Sequence, residues 1–139
     1  MAKTRAKPKE PRSYHKGNVA EDLLAAAARL LKSERFEDIS VRRLTREVGV
    51  TPANFYNHFP SLNYLLLTLA AKGFDSTREM TTKILARVKR RDEAAKLAGV
   101  QFVEFAMDNK QLFRIMFGQI PDALSHDEFK RASDAAFGQ

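Results

Sequence analysis

The stretch from Ser40 to Phe59 constrains this chain more than any other, because it holds start and stop signals for two short helices about three residues apart. Ser40 suits an N-cap: its hydroxyl can accept a free amide of the first helical turn. Ile39 and Leu44 stand at N′ and N4, the spacing of a hydrophobic staple. Gly49 ends the helix as a residue that reaches positive φ at little steric cost. Thr51 then caps a second helix, and Pro52 takes its first position, where a missing N–H costs nothing. Val50 and Phe55 repeat the staple. The outcome is a bihelical unit. Its inward residues are Leu44, Val48, Val50, Phe55 and Phe59; Ala53, Asn54, Asn57 and His58 lie on the other side of the second helix, with Tyr56 at the edge. Asn pairs bidentately with adenine and Ala contacts the thymine methyl. In such units the first helix, which here carries Arg42, Arg43 and Arg46, crosses the nucleic-acid backbone. On geometry alone, a plain helical hairpin with a solvated polar face fits as well.

Gly49-Val50-Thr51 followed by Phe55-Tyr56-Asn57-His58-Phe59 resembles the recognition-helix signature of the TetR family of bacterial transcription regulators. The likeness runs from Tyr14-His15-Lys16-Gly17-Asn18 through the first helix to Leu65-Leu66. It implies an all-α fold: an N-terminal three-helix helix-turn-helix head, then a helical bundle for ligand binding and dimerisation. It also implies a DNA-binding set. Ala53, Asn54 and Asn57 would read bases. Thr51, Tyr56, His58 and the arginines at 42, 43 and 46 would hold phosphates, with Pro52 beside them. Thr45 and Ala53 stand where Ala and Gly are commoner, and Leu62 replaces a Lys that usually touches a phosphate at the start of the fourth helix. The run from Phe102 to Gly118 is similar to the WHG-type ligand-binding domain of the same family, a likeness that carries the fold but no ligand.

Charge agrees with a polyanionic partner for the first half. The net charge of +7 divides into +10 for residues 1–91 and −3 for residues 92–139. The basic half is the half with the bihelical unit. Residues 1–16 hold two prolines and six Lys or Arg with almost no apolar content, the composition of a disordered arm. Such an arm can follow phosphates or enter a minor groove, or simply keep the chain soluble. His15 just before the first helix is an ordinary exposed histidine unless the resemblance, which suggests backbone contact there, holds.

The remaining elements follow from periodicity. Helix 1 is expected from Asn18, with Glu21 completing an Asn version of the capping box. Leu23, Leu24, Ala27, Leu30 and Leu31 make its apolar stripe, and Phe36 closes the turn after it. A fourth helix is expected from Ser61 to about Arg91, with its basic end at the negative pole of the helix dipole. Asp92 is expected to cap a fifth helix that runs to about Asn109, apolar nearly all round and therefore buried. Gln111 to Gly118 reads as a short helix with Gly118 as its stop. Ser125 and Glu128 form another capping box, opening a helix with Phe129, Ala132, Ala136 and Phe137 inward. Phe102, Phe105, Phe113, Met116 and Phe117 are candidates to line an apolar effector pocket, although such residues at helical spacing also make plain core.

This gives an arm (1–16), a DNA-binding head (17–60) and a helical body (61–139). Family members continue with two further helices that form the dimer interface, so the resemblance implies a bundle lacking its last helices and leaving apolar surface exposed. The function expected is a ligand-responsive repressor that binds a palindromic operator in double-stranded DNA as a homodimer, released by a small apolar effector. A non-specific nucleic-acid binder driven by the basic half is the alternative. No Gly-rich phosphate loop, His-Glu metal motif or nucleophile elbow is present, so neither an enzyme nor a cofactor or metal site is expected. Without cysteine there is no disulfide or thiolate zinc site, and no apolar run approaches the roughly 18 residues that span a bilayer. The expected location is the cytoplasm, at the bacterial nucleoid.

Overall fold

The computed structural model describes residues 18–118 and 120–138. The arm and the Tyr14–Gly17 segment, with the DNA contacts expected there, lie outside the described residues. Seven α-helices are present among those described, in the order α1 (Val19–Leu30), α2 (Val41–Val48), α3 (Pro52–His58), α4 (Leu62–Arg87), α5 (Arg91–Asp108), α6 (Lys110–Phe117) and α7 (Asp127–Phe137). Short 3₁₀ turns at Phe36–Asp38 and Ala123–Ser125 shape two of the connections.

The signals around α2 and α3 form as bonds. Ser40 Oγ accepts from the Arg43 amide at 3.0 Å, and Thr51 Oγ1 from the Asn54 amide at 3.2 Å. Gly49 takes the left-handed conformation at φ 83° and its amide donates to the Thr45 carbonyl. Ile39, Leu44, Phe55 and Phe59 are buried. They pack on α1, whose Leu23, Ala26 and Ala27 close the other side.

At α1 the cap is different from expectation. Asn18 does precede the helix, and its carbonyl accepts from Asp22 at 2.9 Å, but its side chain makes no capping bond. Its backbone at φ −123°, ψ 37° is not the extended conformation that aims a cap side chain at the first turn, so the box with Glu21 does not form.

Helix α4 is the axis of the molecule. Ser61 Oγ caps it by accepting from the Tyr64 amide at 3.1 Å. Every residue from Leu65 to Ala71 is buried, as are Gly73 and Phe74, because α4 packs against α1 on one side and α5, α6 and α7 on others. It ends at Arg87 rather than near Arg91. Val88 turns extended, at φ −104° and ψ 114°, and the chain doubles back into α5. No Gly or Pro marks this break, which packing of α5 along α4 imposes. The basic cluster is therefore divided, with Arg87 ending α4, Lys89 and Arg90 in the connection and Arg91 opening α5.

The expectation of a buried α5 is overturned. Only Ala94 is buried, whereas Val100, Val103 and Met107 are more than half exposed, at 56%, 55% and 64%. The helix rests on its neighbours along one strip, through Ala94, Ala98, Gln101 and Phe105, and among the described residues nothing covers the opposite side. Asp92 is not the cap either. It is the second residue of α5 and pairs with Arg90 at 2.9 Å.

Gly118 stops α6, but in an extended conformation (φ −82°, ψ 168°) and not a left-handed one. Glycine is required there by contact, since a Cβ would collide with the Arg114 carbonyl oxygen. At α7 the cap lies one residue later than the Ser125–Glu128 box. Ser125 Oγ donates to the Asp122 carbonyl at 2.9 Å. His126 caps the helix, its Nδ1 accepting from the Phe129 amide at 3.0 Å. Ala132 is buried and Phe129 and Ala136 are partly so, but Phe137 is 62% exposed, not inward. A single apolar cluster runs from Val19 in α1 through Leu44, Phe55 and the first half of α4 to Ile115 and Ala132.

Candidate nucleic-acid interface and body cleft

Phe55 is fully buried and, with Phe59, anchors α3 to the core. That fixes which way the other residues of this short helix face. Thr51, Pro52, Ala53, Tyr56, Asn57 and His58 are exposed, and Asn54 is half-buried. Of the α3 residues expected to face DNA, all but Asn54 are therefore exposed. Tyr56 stands edge-on to Phe55 with ring centres 5.2 Å apart, which holds its ring at the margin of the exposed side.

The three arginines of α2 divide. Arg42 and Arg46 are exposed and form no ion pair among the described residues. Arg43 instead reaches Glu34 at 2.8 Å and Glu47 at 3.3 Å. Hydrogen bonding to Glu34, then to Glu47, holds its guanidinium more firmly charged than usual while neutralising that charge locally. Leu62, at a position where the resemblance implies a lysine, is packed partly against the core and offers no cation. Thr45, buried, donates to the Val41 carbonyl and so turns inward.

The head is clasped to α6 by residues that no local sequence pattern reveals. Arg114 donates to both carboxylate oxygens of Glu37 and to Gln111, and its guanidinium lies 4.7 Å over the Phe36 ring. Gln111 Oε1 accepts from the Phe36 amide at 3.1 Å. Lys32 Nζ donates to the Asp108 carbonyl and the Asn109 side chain at the end of α5. The hydrogen bond from Arg114 lowers the Glu37 carboxyl to about 2.

In the body, neither of the two clefts bordered by these candidates takes in all five of the aromatic and methionine residues. Phe102, Phe113 and Phe117 touch one another, with ring centres 4.6 to 6.3 Å apart. Phe105 packs partly against the core. Met116 is buried against Gly73, where any Cβ would meet its sulfur at 2.7 Å. Phe102 and Phe117 line a cleft of about 120 Å³ with Phe74 and Phe137, while Phe113 lines an open recess beside Arg114.

A second group ties α7 to α4. His126 is only 1% exposed, its ring stacked 4.1 Å from Tyr64. Nδ1 accepts from Phe129, so Nε2 carries the proton and donates to Thr68 Oγ1 at 3.0 Å; Thr68 in turn donates to the Tyr64 carbonyl. Among the described residues no cluster of His, Cys, Asp or Glu could hold a metal ion, and no helix is long and apolar enough to cross a membrane.

Residues 23–69 match the model of a family described as bacterial regulatory proteins, tetR family. The matched stretch takes in most of α1, all of α2 and α3, and the start of α4.

Proposed function

We propose that this member of the tetR family of bacterial regulatory proteins, a DNA-binding transcription regulator, is a ligand-responsive repressor that binds a palindromic operator as a dimer. The observation that carries the reading is the surface of α3. With Phe55 buried, Ala53 and Asn57 are exposed and Asn54 is half-buried at their side, beside exposed Arg42 and Arg46. Residues 17–60 act as the head and 61–139 as the body. Ala53, Asn54 and Asn57 read base edges in the major groove, and Thr51, Tyr56, His58, Arg42 and Arg46 hold phosphates that set register. Arg43 supports this surface through Glu34 and Glu47 rather than by touching phosphate. An effector in the body favours a spacing of the two heads that does not fit the operator, and so releases DNA.

Selection of bound fragments from a random DNA pool, with affinities taken at two salt concentrations, tests this. Enrichment of an inverted repeat with half-sites about one helical turn apart is the expected result. A lone half-site would remove the dimer from the reading. Tight binding at low salt with no enriched sequence would replace it with non-specific binding.

A further inference from the structure

The cleft between α4, α5, α6 and α7 has walls of one chemistry and a rim of another. Phe74, Phe102, Phe117 and Phe137 form the walls, with near-perpendicular ring pairs 5.4 to 6.3 Å apart. Rings so arranged receive a further ring by edge-to-face contact. The volume of about 120 Å³ sets the size of the guest. An apolar cavity of about 150 Å³ holds one benzene, so this cleft suits a single ring.

The rim fixes the polar end. Thr77 Oγ1 donates to the Phe74 carbonyl at 2.9 Å and Thr81 Oγ1 to the Thr77 carbonyl at 3.1 Å. Their hydroxyl protons are spent on the backbone, so neither threonine donates into the cleft. Arg78 also lines it, is exposed, and forms no ion pair among the described residues. Nearby Arg131, in contrast, is paired with Asp75 at 3.0 Å. A guanidinium donor beside an apolar slot matches a carboxylate, which it can grip through two parallel hydrogen bonds.

We propose that this cleft binds a single-ring aromatic carboxylate, its ring among the four phenylalanines and its carboxylate on Arg78. The proposal rests on reading the body as an effector-binding module and names the class of effector. The site shares Phe102 and Phe117 with the pocket expected from sequence but not Phe105, Phe113 or Met116.

Calorimetric titration of the full chain with 3-phenylpropionate, and with 3-phenylpropionamide as the uncharged control, tests it. The acid is expected to bind at least tenfold more tightly than the amide. Arg78→Gln should bring the acid down to the affinity of the amide. Ala136→Leu, which fills the cleft without touching the guanidinium, should abolish binding of both. Should Ala136→Leu fail to fold by circular dichroism, Phe102→Ala removes one wall from an exposed position and should weaken both ligands. Equal binding of acid and amide, a preference that survives Arg78→Gln, or no binding of either would overturn the proposal. Operator affinity measured on the same protein without ligand separates the two readings. Lost DNA binding with intact acid binding sinks the regulator alone, and the converse sinks the cleft alone.

Discussion

Arg42 and Arg43 are neighbours in sequence with different surroundings, and the difference can be measured. Arg42 is exposed without a carboxylate partner among the described residues. Its replacement by Ala is expected to weaken binding to all DNA sequences alike and to lower the salt slope by about one. Arg43→Ala should instead lower the melting temperature, because Glu34 and Glu47 lose their partner, and leave the salt slope unchanged. Asn54→Ala should relax specificity at one base pair by about 1–3 kcal/mol, read by affinities for operators varied singly at each position. If Asn54→Ala changed all sequences equally, its role as a base reader would be lost. Residues of this kind were partly legible in advance. Exposure of the α3 face followed from the spacing of Phe55 and Phe59, and Glu47 stands one helical turn from Arg43. Glu34 meets Arg43 only because the chain folds back after α1, which no periodicity encodes.

At the level of the helix, local chemistry was readable wherever both partners lie within a turn of each other. Ser40, Thr51 and Gly49 act as their types and positions require. Thr51→Ala should cost about 1 kcal/mol of stability in denaturant titration, since it removes the bond to the Asn54 amide. Where tertiary packing decided, periodicity failed. The apolar content of α5 read as burial, yet that helix touches its neighbours along one strip. The end of α4 at Arg87 carried no breaker residue. Ser125 and Glu128 have the spacing of a capping box, yet it is His126 that caps α7, with a ring nitrogen. His126→Ala should free that first turn. Amide exchange in α7 is expected to quicken about fivefold or more, the equivalent of about 1 kcal/mol, while α2 and α3 exchange as before. Uniform quickening across both regions would mean that His126 supports the whole fold and not α7 in particular.

Across the whole molecule, head and body meet through a clasp whose strength depends on pH. Arg114 holds the Glu37 carboxyl at about 2, below its ordinary value of 4.5. The folded state therefore binds that proton less readily than the unfolded chain. The contribution of Glu37 is complete above about 4.5 and is lost as pH falls toward about 2. Thermal midpoints of the wild type should converge on those of Glu37→Gln across this window and exceed them above it. A constant difference at all pH values would show that the carboxylate charge is not what the clasp uses. None of this was legible in the sequence, because Glu37 and Arg114 lie 77 residues apart.

The hydrogen bond between His126 and Thr68 fastens the start of α7 to α4, and the Arg131–Asp75 ion pair fastens its middle. The helix has 11 residues and so extends about 16 Å from its start. Ala136 and Phe137, at its far end, are the residues that border the aromatic cleft. Thr68 lies two turns into α4 from its Ser61 cap, shortly after the end of α3. A ligand seated in the cleft would therefore press on one end of a helix whose other end is bonded to α4 near its start.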